Sequence, residues 1–306
     1  MKYLPFLSGK YSTAPGLTAI EKSNIESDKL IFQIDDHYEH YIENKQTCRK
    51  ENIHKYYCEH NLYAPTIQRV NQYIVQQLLI EYPQYFIFTE DETQYSLHNK
   101  LKQEKIEWTT DWITIHGNIY LSLFDALCCQ VQEDIAVVQQ EDHTDWLATV
   151  HLCAPNHWSP TEKSGKTFAT IHARIPGMDK TIQQHPKMLS AIIQKGPFTR
   201  FAWGVATDEQ LNHHPFPPPG ISGSVWNGRL NNQSKFFIRT ERQNLVGFLE
   251  NDAFLFTIRT YFYDIDDLAQ PEKEALWQAI RSMSNETLIY KGMDKMKEKI
   301  ERKLFH

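Results

Sequence analysis

The segment Phe236 to Tyr261, FFIRTERQNLVGFLENDAFLFTIRTY, interleaves guanidinium and carboxylate groups with a strongly strand-like aromatic run. Its second half, Ala253 to Tyr261, alternates as a pleated strand does. Phe254, Phe256 and Ile258 fall on one face and Leu255, Thr257, Arg259 and Tyr261 on the other. Phe237 to Phe248 reads as its partner, with Arg239, Glu241 and Gln243 on one face and Arg242 on the opposite one, joined through the polar turn Glu250, Asn251, Asp252. Charges in such a pair have two readings. In one register Glu241 faces Arg259 and the charges form a cross-strand ion pair on a solvated face. Alternatively they hold an anionic ligand or a cofactor carboxylate, which suits the planar fork of arginine.

A chain of 306 residues is long enough to bury a substantial interior. Lys and Arg total 32 against 38 Asp and Glu, a formal charge of -6 with no basic stripe, which argues against nucleic acid as a partner. No stretch is apolar for the length of a membrane span, and the N-terminal MKYLPFLSGKYSTAPG has no sustained apolar region, so the expectation is a soluble cytoplasmic protein. The five cysteines, Cys48, Cys58, Cys128, Cys129 and Cys153, form no C-x-x-C pair and no cluster-ligand spacing. Cys48, His54, Cys58 and His60 lie close in sequence but fit no common zinc spacing.

Along the chain, residues 1 to about 60 are polar and irregular and read as an extended arm with short elements. Ile67, Val70, Ile74, Leu78 and Leu79 recur at helical spacing and predict a helix over Thr66 to Tyr82 that Pro83 stops. A second helix is expected over Leu121 to Val131. Strands follow at Asp134 to Gln139 and Trp146 to Cys153, then a short helix near Lys163, a longer one over Thr181 to Gln194, and a strand over Phe198 to Ala206. The proline-rich His214 to Gly223 suits a surface loop or flap. Pro271 to Met283 and Lys291 to Lys303 read as closing helices. The expected class is α+β: a PAS-like five-stranded antiparallel sheet with flanking N- and C-terminal helices, although this order of elements suits other α+β folds as well. The corresponding division is an N-terminal arm and helical region at 1–130, a PAS-like core at 131–265, and C-terminal helices at 266–306.

Five ordered stretches resemble the heme-dependent oxidative N-demethylase alpha-subunit family, related to dimethylamine monooxygenase. They are VQEDIAVV at Val131 to Val138, HWSPTEKSGKTFATIHARIPG at His157 to Gly177, RTERQNL at Arg239 to Leu245, FTIRTY at Phe256 to Tyr261, and IYKG at Ile289 to Gly292. The resemblance implies a PAS-like sheet that holds heme b and oxidatively demethylates a small methylated amine with O2. Electrons would come from reductase subunits carrying NAD(P)H, FMN and an iron-sulfur centre on partner chains. This chain lacks both a Rossmann glycine fingerprint and cluster-spaced cysteines. It departs from the family pattern at Leu245 to Asn251, LVGFLEN, where relatives carry an arginine and proline link, and at Ala202 in FTRFAWGV, where a polar residue is more usual.

Carried over residue by residue, the resemblance implies His172 in ATIHARIPG as the axial iron ligand, with His157 and His151 as reserves. On the residues alone His172 reads as a helix-capping or loop-bonding histidine. Heme propionates call for cations, and the candidates are Arg239, Arg242, Arg259 and Lys163. Trp203, with Trp158, Phe168, Phe254 and Phe256, would wall the porphyrin, or simply be core. Glu241 and Arg259 are the candidate catalytic pair: Glu241 would hold a cationic amine or give a proton to bound oxygen, or merely neutralise Arg259. The competing reading is a non-catalytic PAS-type module that binds heme or a small ligand and senses it, and a third is a relative that has lost heme.

Overall fold

A computed structural model describes residues 2–226 and 235–305. Among these the strands are β1 (Thr18–Ala19), β2 (Tyr57–Glu59), β3 (Phe86–Glu90), β4 (Gln94–Asn99), β5 (Glu104–Thr109), β6 (Asp134–Glu141), β7 (Thr144–His151), β8 (Phe198–Ala206), β9 (Phe237–Phe248) and β10 (Ala253–Asp264). The helices are α1 (Glu26–Lys29), α2 (Tyr38–Asn52), α3 (Ala64–Glu81), α4 (Leu123–Cys128), α5 (Pro160–Lys163), α6 (Phe168–His172), α7 (Asp179–Lys195), α8 (Gly223–Trp226), α9 (Gln270–Arg281), α10 (Asn285–Tyr290) and α11 (Lys297–Phe305). No helix among the described residues is long and apolar enough to cross a membrane.

The class is α+β, but the main sheet has seven antiparallel strands rather than the expected five, in the order β1-β8-β9-β10-β6-β7-β2. The two additional strands are edges of two and three residues, contributed by the arm and too short to leave a period in the sequence. A separate three-stranded sheet, β3-β4-β5, stands where only helical structure was expected. Its strands are short and rich in polar residues, with few apolar positions to mark the alternation. The closing helix expected over Lys291 to Lys303 begins only at Lys297, as α11; the residues before it form turns that follow α10, with Gly292 at a φ of 65°.

The β9–β10 pair is the spine of the sheet. Its register sets Thr260 opposite Glu241 and Arg242 opposite Arg259, so Glu241 and Arg259 do not face each other. The alternation then sends the charges to two different faces.

On one face, Arg242 and Arg259, each 1% exposed, bind the arm. Arg242 Nη2 donates to the carbonyls of Asp28 and Leu30 at 2.7 and 2.8 Å, and Asn244 Nδ2 donates to that of Ile31 at 2.8 Å. Arg259 Nη2 pairs with Asp35 at 2.9 Å. From beyond the sheet, Glu81 accepts the amides of Ile31 and Phe32, and Glu133 accepts that of Gln33. A buried extended segment without strand partners needs side chains to satisfy its backbone, and these supply them. α3 and α4 cover this face with a core that includes Ile74, Leu78, Phe124 and Leu127.

On the other face lie α5, α6 and α7. The C-terminal end of α7 approaches so closely that a Cβ on Gly247 of β9 would stand 2.2 Å from the Ile193 carbonyl oxygen. That approach leaves a hollow beside it, between the sheet and α6.

Candidate functional site

The hollow is a cavity of about 340 Å³. Its floor is the period-two set that faces α6 and α7: Arg239, Glu241, Gln243 and Leu245 of β9, and Phe254, Phe256 and Ile258 of β10. Ala136 and Val138 of β6, Leu147 of β7 and Arg200 and Ala202 of β8 extend it. The roof is Trp158, Lys163 of α5, Phe168, Ile171 and His172 of α6, and Met188, Leu189 and Ile192 of α7. The N-terminal residues Tyr11 to Ala14 close one side.

His172 is the only histidine in that lining among the described residues. Two local devices position it. Thr167 caps α6 by accepting the Thr170 amide at 3.2 Å, and Asp145 accepts the Phe168 amide at 2.5 Å. The His172 ring stacks on Phe168 with centroids 4.0 Å apart and its Nδ1 lies 2.8 Å from the Phe168 carbonyl oxygen. A carbonyl only accepts, so Nδ1 carries the hydrogen and Nε2 presents its lone pair. Burial pushes the imidazole down to about 4, the nearby charges of Lys163 and Arg200 adding to this against the Phe168 bond, so the ring is neutral at ordinary pH.

The electrostatics of the lining are lopsided. Lys163, Lys166, Arg200, Arg239 and Lys291 face only two carboxylates, Asp145 and Glu241. Lys163 Nζ sits 3.8 Å over the Trp158 ring, and burial pushes its ammonium down to about 8 despite Glu162 and Glu241. Burial also lowers Arg200 and Arg239, each against the attraction of Glu241. The Nε atoms of both arginines are buried without a hydrogen-bond partner. Glu241 accepts from Gln243 Nε2 at 2.9 Å and lies 3.8 Å from Arg239 Nε. Five cations around a partly apolar lining suit an apolar ligand with anionic groups at its edge, and the donor set, one neutral imidazole with a lone pair on Nε2, suits iron.

Of the residues singled out from sequence, His172, Lys163, Trp203, Arg239 and Glu241 meet in this cavity. Trp203 touches it while packing edge-on against Phe6, at a centroid distance of 5.3 Å, in the core built by α9 to α11. Arg242 and Arg259 stand on the opposite face of the sheet, so the structure does not bring them to the site. It also separates the reserve histidines from it. His151 is buried beneath the sheet between Asp125, Cys129 and Cys153, at 3.1, 3.8 and 3.9 Å. His157 stacks on His213, 5.1 Å between centroids, in a second chamber beside the first.

Sequence reading missed Arg200, Lys166 and Lys291. Arg200 had a legible signal, because it is two residues before Ala202 on the same strand and the alternation puts both on the cavity side. Lys166 and Lys291 lie in connections, where no period assigns a face.

The cavity, its single presented imidazole and its cation surplus thus stand on the motifs at His157 to Gly177 and Arg239 to Leu245. The family model described as haem-dependent oxidative N-demethylase, alpha subunit-like matches residues 21–301, and the chain belongs to that family.

Proposed function

We propose that this chain is the heme-b-binding catalytic subunit of a monooxygenase that oxidatively removes a methyl group from a small methylated amine, using O2 and electrons from a reductase partner. The observation that carries the reading is His172: a neutral ring, fixed by Phe168, presenting Nε2 to a cavity lined by apolar side chains and surplus cations. Heme, when bound, supplies the site at which O2 is reduced and the N-methyl carbon oxidised. His172 would ligate the iron, and Trp158, Phe168, Phe254 and Phe256 would wall the porphyrin. Arg239 and Lys163, with Arg200, Lys166 and Lys291, would neutralise its carboxylates.

Glu241 projects from the sheet, across the cavity from α6, and has two uses there. Its carboxylate would hold a secondary ammonium against the surrounding positive charge, and with Asp145 it is one of the two carboxyl groups in the lining that would pass a proton. Leu245, Phe254, Phe256 and Ile258 give that part of the floor an apolar surface that would disfavour water beside the substrate. A PAS-like reading of the sheet rests on the order of its five long strands, β8-β9-β10-β6-β7, with α5 to α7 between the second and third in sequence. Arg242 and Arg259 serve the fold in this reading, through the arm.

The test is the visible absorption spectrum of the protein supplied with heme, for wild type and His172→Ala. A Soret band that moves on reduction and is lost or displaced in the variant, with recovery on adding imidazole, is expected. Absence of the band in wild type overturns the reading. Formaldehyde formed from dimethylamine with NAD(P)H and a reductase separates an enzyme from a heme-binding sensor.

A further inference from the structure

The cavity carries more positive charge than a heme would neutralise. Its lining sets Lys163, Lys166, Arg200, Arg239 and Lys291 against Asp145 and Glu241. The two carboxylates of a heme b, a step that rests on the proposed function, still leave cations in excess. A bare secondary ammonium such as that of dimethylamine adds to the excess, and like charges repel strongly in a site of low dielectric. A substrate that brings its own carboxylate does not. We infer that the substrate class of this cavity is an N-methylated amino acid, with Arg200 binding its carboxylate and Glu241 its secondary ammonium.

Arg200 is the cation that no protein group engages. Among the described residues it makes no hydrogen bond and no ion pair, and its Nε is buried without a partner. The other cations are occupied or hydrated. Lys163 lies over Trp158, Arg239 donates to the Ala154 and Leu211 carbonyls, Lys291 donates to that of Trp203, and Lys166 is exposed to solvent. A guanidinium withdrawn from water without acceptors carries a desolvation cost, and a carboxylate in its planar fork offsets that cost.

The register sets the two binding groups side by side. β8 and β9 place Arg200 opposite Gln243 and Ala202 opposite Glu241, so Arg200 and Glu241 are diagonal neighbours on one face, about 7–8 Å apart along the backbone. Gln243 Nε2 donates to Glu241 at 2.9 Å and steadies it, and the carboxylate keeps acceptor capacity for an ammonium. Ala202 ends at its Cβ and leaves space beside Glu241. An amino acid carries its ammonium and carboxylate on one carbon and so spans neighbouring charges of opposite sign. Both groups stand on floor strands, whereas His172 belongs to the roof, so the substrate would lie on the side away from the histidine.

For N-methylglycine, the smallest member of the class, the reaction balances with one O2 and two electrons and two protons from the reductase partner. The bond between nitrogen and the methyl carbon breaks, and glycine, formaldehyde and one water leave.

The experiment uses the full chain in two arms. In the first, N-methylglycine and N-methylglycinamide, which has the same shape without the carboxylate, are titrated by calorimetry into wild type, Arg200→Gln, Arg200→Lys and Ala202→Leu, each heme-free and heme-loaded. In the second, formaldehyde formed from N-methylglycine and from dimethylamine is measured with a reductase and NAD(P)H. Wild type is expected to bind the acid about ten- to a hundredfold more tightly than the amide, the worth of one hydrogen bond to a charged group. That preference should vanish in Arg200→Gln and return in part in Arg200→Lys. Ala202→Leu keeps every charge and fills the space beside Glu241, so loss of binding there carries the test if Arg200→Gln does not fold.

Equal or tighter binding of the amide, binding of neither compound, or a preference that persists in Arg200→Gln overturns the inference. Demethylation of dimethylamine without that of N-methylglycine overturns it too and leaves the proposed function standing. If wild type takes up no heme, the proposed function fails while the heme-free titration still decides whether Arg200 reads a carboxylate.

Discussion

The guanidinium of Arg259 lies over the ring of Tyr41, 3.8 Å from its centroid, and reaches Asp35 at 2.9 Å, while Tyr41 itself donates to the Thr260 carbonyl at 2.5 Å. One arginine thus ties α2, the arm and the sheet spine together on the face away from the cavity. Arg259→Met removes the pair and leaves Asp35 facing a neutral side chain. Because Asp35 is 38% exposed and stays hydrated when left alone, the loss of stability is expected to be that of a hydrogen bond to a charged group, about 1.5–3 kcal/mol. Urea unfolding checks it, with a lowered midpoint at an unchanged slope. The folded variant should keep the heme spectrum of wild type; a folded variant that loses heme would place Arg259 at the site.

Glu241→Gln keeps the shape and the bond with Gln243 while removing the charge. Heme uptake is expected to persist, because Glu241 contributes no cation and no iron ligand. Amine turnover should fall by about a hundredfold, the usual contribution of a positioned acid or base. The measurement is formaldehyde formed per NAD(P)H consumed. Full turnover in the variant would reduce Glu241 to a neighbour of Arg239.

Gly247→Ala tests the close approach of α7. The new methyl would sit 2.2 Å from the Ile193 carbonyl oxygen and 2.5 Å from that of Ile192, both backbone atoms that no rotamer change relieves. Overpacking of this kind costs about 1–3 kcal/mol. Since Leu189 and Ile192 of the same helix line the cavity, heme affinity should fall with stability. Denaturant melts and a heme titration on one preparation measure both.

Glu81 makes the arm sensitive to pH. Burial pushes its carboxyl up to about 7, with Glu133 adding to this and the Ile31 and Phe32 amides and Arg242 opposing it. The folded protein therefore holds a proton that the unfolded chain releases near 4.5, so this group's contribution is full below 4.5 and declines as pH rises to 7. Glu81→Gln should remove that decline. The check is the difference between wild-type and variant urea midpoints at pH 5 and pH 7.5; a constant difference would mean that Glu81 does not titrate in this range.

Strand-scale periodicity carried much of the fold. The β9–β10 hairpin, β6, β7 and β8 lie where their β-branched and aromatic runs placed them, and α3 and α7 follow their helical spacing, because each helix buries one face and so repeats apolar residues at a fixed interval. Elements stabilised by backbone pairing at an edge left no such trace. β1 and β2 contribute two and three residues, and the β3-β4-β5 sheet has polar or charged residues in every strand.

For the site, sequence alone determined which side chains share a face: Arg239, Glu241 and Gln243 together, Arg242 opposite; the short helix expected to begin near Lys163 is instead two, with Lys163 ending α5 and His172 ending α6. A period of two fixes relative sides of a strand whatever packs upon them. Only the tertiary structure decided which face is the cavity and which the clasp of the arm. That choice depends on segments distant in sequence, residues 28–35 on one side and α5 to α7 on the other, competing for the two sides of the same sheet. Arginine satisfies backbone carbonyls as readily as it meets a ligand carboxylate, so its presence in a strand names the need for an acceptor and leaves the acceptor to the fold.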